Sequence, residues 1–360
     1  MRSGKGMKKL ISFLTMMCLL VLLLTGCGGN AGGAAESSSD SNSSDETIKI
    51  GVSAFPGWYT WYAVQGFGAF EENEVDVELV WFNTYSDSLQ AFNSGQIDAV
   101  CAALSDTISP ALSNVDFKVV LVNDNSAGAD GIVAQSEIAS LKDLKGKTVA
   151  TEIGTIEHFF LLNALETVGL TEKDIDLTNM TVENAGPAVI SGQVDAASLW
   201  EPSLSYAASE GDTNLLFDSS ETPGLIPDTL MVSGKLLDKR SGDVQKIVNA
   251  YFDGMQSYAE NPDEAIEFMA KQADISNEEM ATAMKGARLF SIADNQAAFN
   301  EAAKDYSYLP YTAEKTAKFL LDQGMVSKEL TDPESIFDST YIDKLYEENP
   351  DLTVPDTQAE

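Results

Sequence analysis

The chain has 360 residues, of which 22 are basic and 56 acidic, giving a formal net charge of −34 at pH 7. Such an excess of acid repels a phosphate backbone and excludes nucleic acid as a natural partner. One histidine and three cysteines provide no Cys/His cluster for a zinc site, so neither a metal nor a cofactor is predicted.

The N-terminus is predicted to be a secretion signal. Residues 1–26 begin with four basic residues and continue into the apolar run Leu10–Leu24, which is short for a membrane span and typical of a signal peptide. Leu24-Thr25-Gly26-Cys27 resembles the bacterial lipobox, in which the cysteine becomes the first mature residue and carries a lipid. An ordinary signal peptide with an incidental cysteine is the alternative. Residues 27–46, rich in Gly and Ser, are predicted to be a flexible tether.

From residue 47 onward, strand-like and helix-like segments alternate. Strands are predicted at 48–55, 75–82 and 96–104. Between the first two lie a loop and helix at 57–72. A helix at 85–95 follows the second, with Ser86 as a candidate N-cap and Gly95 beyond its end. Alternation of this kind predicts βαβ units and a parallel sheet.

The same order of segments recurs in the next part of the chain. SGQIDA at Ser94–Ala99 returns as SGQVDA at Ser191–Ala196, an offset of 97 residues. The matching segments are predicted strands at 147–154, 174–183 and 193–200 and helices at 155–169 and 185–192, the second with Pro187 near its start. A repeated motif inside a repeated order of elements favours internal duplication over chance.

Two short extended runs, 128–136 and 227–234, are predicted to carry the chain between two lobes. Lobe 1 is expected at 47–130 plus 232–350, lobe 2 at 131–231, and a frayed acidic tail at 351–360. Beyond Gly234 the pattern is helical, and these helices are expected to pack on lobe 1. Capping boxes are predicted at Asn261–Glu264 and Ser276–Glu279.

A binding site is expected beyond the carboxyl ends of the parallel strands, beside helix N-termini. The residues predicted to contact a ligand there are Trp58, Tyr59, Trp61, Tyr62, Asp87, Asp106, Thr107, Glu157, His158, Trp200 and Glu201. Aromatic faces with carboxylates between them suit a small planar or aminated molecule, because ring faces attract cations.

Each of these residues also has a purely structural interpretation. An aromatic side chain can fill a core, and Asp87 and Asp106 stand where a helix N-terminus favours an acid. His158 lies on the first turn of a helix and fits a surface position equally well. Glu201 could cap a helix, but it follows an apolar run and Trp200, so Glu201→Gln is expected to weaken an aminated ligand and leave the fold intact.

No catalytic residue is predicted, because the sequence contains no G-x-S-x-G, no P-loop and no G-x-G-x-x-G after a strand. Cys101 stands alone in an apolar run and is expected to be an inert buried thiol. The chain is therefore not expected to be an enzyme.

Three segments, 94–108, 141–155 and 191–202, together with the lipobox, resemble the solute-binding proteins of ABC importers. The resemblance covers roughly 47–234 and is greatest to the family that serves nitrate, alkanesulfonates, taurine and thiamine-pyrimidine precursors. It implies an α/β, type II periplasmic-binding-protein fold, with two Rossmann-like lobes joined by a two-crossing hinge. It also implies that Trp200, Glu201 and the aromatic loop 58–62 line the cleft.

The implied function is that of a monomeric extracytoplasmic receptor, anchored to the cell membrane by a lipid on Cys27. It would clamp a small solute and deliver it to a membrane permease and its ATPase. Removing residues 1–26 leaves 18 basic and 56 acidic residues, a net charge of −38, and the predicted cleft contains no arginine. A neutral, zwitterionic or aminated heteroaromatic solute is therefore favoured over a simple anion. The solute is predicted to be a small organic molecule containing nitrogen or sulfur, namely an aminated heteroaromatic molecule, taurine or an alkanesulfonate, and Glu201 could bind the ammonium of taurine.

Two alternatives to the import receptor stay open. Part of the resembling family makes a pyrimidine phosphate and consumes its own histidine, a role for which His158 is the candidate. A ligand-sensing module for a membrane sensor is the other alternative, and the sequence does not distinguish it from an importer component.

Overall fold

The computed structural model describes residues 46–358. The predicted signal peptide and Cys27, with all of the tether except Glu46, lie outside the described residues. Within 46–358 strands and helices alternate up to residue 233, and helices predominate beyond it. None of the helices in this range is long and apolar enough to cross a membrane.

The strands between residues 46 and 358 form two mixed sheets. They are β1 (Ile48–Val52), β2 (Val77–Trp81), β3 (Ala99–Ala103), β4 (Phe117–Ser126), β5 (Asp130–Gln135), β6 (Thr148–Thr151), β7 (Asp176–Asn179), β8 (Ala196–Trp200), β9 (Thr213–Asp218), β10 (Pro227–Ser233) and β11 (Ala287–Leu289). The first sheet has the order β11-β4-β10-β3-β1-β2 and the second β7-β6-β8-β5-β9. In each sheet three parallel strands are joined by an antiparallel neighbour, β10 in the first and β5 in the second.

Helices cover the two sheets. They are α1 (Pro56–Gly66), α2 (Ala69–Glu72), α3 (Tyr85–Asn93), α4 (Leu104–Leu112), α5 (Ile156–Thr167), α6 (Val182–Ile190), α7 (Ser203–Glu210), α8 (Gly234–Glu260), α9 (Pro262–Ala273), α10 (Asn277–Met284), α11 (Ile292–Asn300), α12 (Leu309–Asp322) and α13 (Thr340–Glu348). Helix α8 is interrupted at Arg240, where φ is −139°. Helices α8 and α9 pack against α1, and α13 packs against α8 and β4, so the C-terminal helices complete the lobe built on the first sheet.

The internal repeat is a feature of the architecture. Strands β3 and β8 begin 97 residues apart, the offset of the two SGQ motifs. Asp98 Oδ2 accepts the N–H of Lys49 at 3.0 Å, and Asp195 Oδ2 accepts the N–H of Thr148 at 2.8 Å. The aspartate of each motif therefore ties its strand to the middle one of the three parallel strands in its own sheet, β1 or β6.

The chain crosses between the two sheets twice, from β4 to β5 and from β9 to β10. The crossings are joined at the Ser219 hydroxyl, which lies 2.6 Å from the Ser126 hydroxyl and accepts the N–H of Gly128 at 2.7 Å. Two sheets of order 2-1-3-10-4-11 and 7-6-8-5-9 with two crossings form the type II arrangement, which confirms the predicted fold class.

Three predictions of helix boundaries are wrong. The segment 58–62, predicted as a loop, lies inside α1, because Pro56 begins the helix with a preset φ. Helix α3 begins at Tyr85 with Thr84 as the N-cap, so Ser86 is already helical. Pro187 lies inside α6 rather than near its start, since that helix begins at Val182.

One prediction for the C-terminal part is also corrected. The side chain of Asn261 caps no amide of α9, whereas Ser276 and Glu279 form the predicted capping box. In the acidic tail the Thr357 hydroxyl donates to the carbonyl of Ala287 in β11, and the fraying predicted for 351–360 stays a prediction.

Candidate functional site

Aromatic rings from the two lobes meet between the sheets. Tyr85, the first residue of α3, lies edge-on to Trp200 at the end of β8, with ring centroids 5.7 Å apart. On the first-sheet side Trp58 of α1 packs on Tyr85 at 5.0 Å. All three side chains are at most 3% exposed. They lie at a strand end and at helix starts, where the topology of an open α/β sheet places a ligand.

Each lobe supplies a carboxylate to a helix N-terminus of the other lobe. Asp106 Oδ2, in the first turn of α4, accepts the N–H of Ile156 at 3.1 Å, and Ile156 opens α5. Glu152 Oε1, which follows β6, accepts the N–H of Ser86 at 3.3 Å near the start of α3. Because helix N-termini carry unpaired amides and a partial positive charge, these two contacts stabilise the closed arrangement of the lobes.

Asp106 also accepts the hydroxyl of Tyr85 at 2.8 Å. Burial raises the pKa of Asp106 to about 7, and the two hydrogen bonds that it accepts partly oppose that rise. The Tyr85 hydroxyl in turn accepts the N–H of Ala103 at 3.1 Å. Tyr85 thereby links the end of β3 to the contact that Asp106 makes with Ile156 of the other lobe.

The strands that flank the crossings carry three buried aspartates that the sequence analysis did not select. Asp124 of β4 and Asp228 of β10 face each other in register, and Asp130 opens β5. All three are at most 2% exposed. Among residues 46–358 no donor reaches either oxygen of Asp124 or Oδ2 of Asp228, so a hydrogen bond between these two requires a proton on one of them.

Asp130 continues the acidic cluster into the second lobe. It lies opposite Trp200 in the β5–β8 register and close to Glu157, which is fully buried in the first turn of α5. Glu157 accepts the hydroxyl of Ser198 through Oε2, and its Oε1 has no donor in the part of the chain that the structure describes. Burial raises the pKa of Asp130 to about 6, and burial together with the charge of Asp130 raises the pKa of Glu157 well above its usual range.

We call Asp124, Asp130, Asp228 and Glu157 the hinge acids. Among residues 46–358 no ion pair includes any of them. Their charge is therefore not compensated by a lysine or arginine within that range. Over the same range no group of three or more His, Cys, Asp or Glu side chains is arranged to hold a metal ion.

Of the residues predicted to contact a ligand, four lie together at the junction of the two lobes: Trp58, Asp106, Glu157 and Trp200. Several others lie elsewhere. Trp61 is in the core, packed on Tyr251 at 4.7 Å and on Phe70 at 6.2 Å. Tyr59 and Tyr62 pack against Trp81 at the end of β2, at 5.7 and 6.3 Å.

Two further predicted contacts have structural roles. The hydroxyl of Thr107 donates to the carbonyl of Leu104 at 2.8 Å inside the first turn of α4. Asp87 is exposed in the first turn of α3. An acid at that position favours the helix through its dipole, which was the alternative interpretation for this residue.

His158 points away from the space between the lobes. Successive residues of a helix are rotated by about 100°, so the side chain that follows Glu157 faces another direction. His158 Nε2 lies 3.2 Å from Glu172 Oε2, on the 3-10 turn Glu172–Asp174. Burial lowers the pKa of His158, and Glu172 partly opposes that effect. The residue on which the enzyme alternative depended is thus not at the candidate site.

Glu201 also departs from its predicted role. Its carboxylate accepts the N–H of Ser205 at 3.1 Å and the hydroxyl of Ser205 at 2.6 Å, in the first turn of α7. It borders an open groove of about 790 Å³ between α6, α7 and α10. Both oxygens are therefore used in starting α7.

We expect Glu201→Gln to leave solute affinity unchanged within about twofold, because a glutamine oxygen still accepts from Ser205 and the site contacts remain. Isothermal titration of the wild type and the variant with the same solute measures this. A loss of affinity of tenfold or more, with an unchanged melting temperature, would instead support the prediction that Glu201 contacts the ligand.

Comparison with known proteins gives one family. Residues 59–265, more than half of the chain, match the family described as NMT1/THI5 like. The chain is 25% identical over 283 residues to a putative aliphatic sulfonates-binding protein of Bacillus subtilis strain 168, covering 78% of this chain and 82% of that protein. It is 24% identical over 275 residues to the taurine-binding periplasmic protein of Escherichia coli K12, covering 71% and 80%.

A solved structure shares the fold. The crystal structure of the periplasmic aliphatic sulphonate binding protein SsuA from Escherichia coli matches with a TM-score of 0.69 at 22% identity. The match covers 82% of this chain and 93% of that one. At this level of identity the likeness establishes the two-lobed fold, and the solute has to be argued from the side chains.

Proposed function

The chain belongs to the NMT1/THI5-like family, and from that membership we propose that it is the extracytoplasmic solute-binding component of an ABC importer. The observation that carries the proposal is the group of side chains at the junction of the lobes. Buried rings of both lobes, Tyr85 and Trp200, meet there near Asp228, and no donor among residues 46–358 reaches either oxygen of Asp124 or Oδ2 of Asp228. Buried polar atoms without partners in the protein are costly unless a ligand pairs with them.

Binding is proposed to work by lobe closure. The contacts of Tyr85 with Trp200, of Asp106 with Ile156 and of Glu152 with Ser86 join the two lobes. A solute that touches both lobes stabilises the state in which these contacts exist, because only that state satisfies all of its partners. The closed protein then docks on a membrane permease, whose ATPase supplies the energy for transport.

The proposed solute is a small organic molecule that contains nitrogen or sulfur. The names of the two relatives, for aliphatic sulfonates and taurine, support a sulfur-containing solute. The hinge acids support an aminated one, such as an aminated heteroaromatic molecule. The protein is proposed to act as a monomer held at the membrane by the lipid on Cys27.

Titration calorimetry combined with small-angle X-ray scattering tests this function. We expect one solute among taurine, alkanesulfonates, aminopyrimidines and organic amines to bind and to reduce the radius of gyration. Closure about a two-crossing hinge makes the molecule more compact, whereas binding to a surface groove does not. The proposal fails if no solute from this panel, nor from total growth medium, produces either heat or compaction.

A further inference from the structure

Three aromatic rings and four carboxylates lie together at the junction of the two lobes. Asp124 faces Gly57 at the start of α1, and the next residue, Trp58, packs on Tyr85. Tyr85 contacts Trp200, which is the register partner of Asp130. Asp130 lies beside Glu157, and Asp228, the register partner of Asp124, interacts with the charges of Asp124 and Asp130. The rings and the hinge acids therefore border one region.

Another buried polar group in this region also has no partner. Among residues 46–358 the indole Nε1 of Trp58 meets no acceptor, although Trp58 is only 2% exposed and packs on Tyr85. This group is separate from the carboxylates and indicates that the region is built to contact a polar molecule.

We propose that the solute is an organic cation, whose ammonium or amidinium group is held by the hinge acids and whose body contacts the rings of Trp58, Tyr85 and Trp200. Four buried carboxylates with no basic partner among residues 46–358 would repel one another once ionised, so a positive charge is the compensation that allows them to ionise. Aromatic faces add attraction for a cation and favour an organic body beside the charged group.

The same side chains oppose a simple sulfonate. An anion at this place would add negative charge beside Asp124, Asp228 and Asp130, with no basic residue from 46–358 in an ion pair there. A zwitterion such as taurine can place its ammonium at the hinge acids only if its sulfonate is held elsewhere. This inference rests on the proposed solute-binding function and specifies the charge of the solute.

Solutes separated by charge provide the first test. Growth medium is divided into a pool retained on a cation exchanger and a pool retained on an anion exchanger, and choline, putrescine, taurine and butanesulfonate serve as single probes. We expect compaction and thermal stabilisation with the cationic pool and with a cationic probe. Binding of butanesulfonate or the anionic pool alone overturns the inference and leaves the importer function intact. Failure of every pool and probe overturns both.

Substitution of the hinge acids provides the second test. Asp124→Asn and Asp228→Asn are each expected to lower affinity for the bound cation at least about tenfold, since each removes a buried charge partner. Each is also expected to raise the melting temperature of the ligand-free protein, because like-charge repulsion is relieved. The exposed Asp238→Asn is the matched control and should change neither quantity. Unchanged cation affinity in both hinge variants, or binding lost only in proportion to lost stability, overturns the inference.

Discussion

Gly57→Ala is expected to abolish solute binding and to destabilise the protein by about 1–3 kcal/mol, the usual cost of overpacking a buried site. A Cβ at position 57 would lie 1.6 Å from Asp124 Oδ2 and 2.3 Å from its Cγ. Asp124 would have to turn away from Gly57, either toward Asp228 or toward the aromatic rings. Either movement displaces the carboxylate that we propose as a solute contact. Urea unfolding and calorimetry on the same preparation measure the two effects.

A double variant separates the clash from a general loss of packing. Gly57→Ala with Asp124→Ala should recover stability relative to Gly57→Ala alone, because the atoms in conflict are gone, but should not recover binding. Gly242→Ala is the matched control, because a Cβ there meets nothing within 4 Å, and it should be neutral or slightly stabilising. Equal behaviour of the Gly57 and Gly242 variants would contradict the assignment of Asp124 to the site.

The affinity for a cationic solute is expected to rise with pH between about 5 and 8, by up to about tenfold per pH unit for each proton released. In the ligand-free protein, burial holds the pKa of Asp130 at about 6 and that of Asp106 at about 7. A bound cation favours the ionised carboxylates, so binding has to expel these protons at low pH. The other titratable groups facing this region from its surrounding elements are Tyr85, Asp124, Glu152, Glu157, Glu201 and Asp228.

Calorimetry at pH 6 in two buffers of different ionisation enthalpy counts the protons released on binding. Asp130→Asn should release fewer protons than the wild type, whereas Asp238→Asn should release the same number. An affinity that falls as pH rises would indicate an anionic solute, because ionised hinge acids would then repel it. Such a result would contradict the proposed charge of the solute.

The fold was predictable from the sequence because its causes are local and repeated. Alternating and continuous apolar runs predict the strands, and glycine and proline predict where they end. The SGQ motif predicts the internal duplication, and its aspartates, Asp98 and Asp195, make equivalent hydrogen bonds in the two sheets. The rule that ligands bind at the carboxyl ends of parallel strands also selected Trp58, Asp106, Glu157 and Trp200, which lie around the space between the lobes.

The same rule could not identify the rest of the candidate site. Asp124, Asp130 and Asp228 lie on β4, β5 and β10, the strands that flank the crossings, and the rule covers only parallel strands. The sequence did contain a signal for two of them, because an acid stands inside an otherwise apolar strand in FKVVLVNDNS and in PDTLMVS. Side-chain direction was the other obstacle, since Glu201 and His158 are at predicted positions but bond to Ser205 and Glu172.

The strand order of the two sheets sets a sequence of events during synthesis and export. The second sheet is complete within Asp130–Asp218, a continuous stretch of chain. In the first sheet, β10 separates β3 from β4, yet it emerges only after the entire second sheet. A chain that emerges N-terminus first therefore holds the first sheet as two unjoined parts, β1 to β3 and β4, while the second sheet can already form. The half of the protein that begins first is finished last.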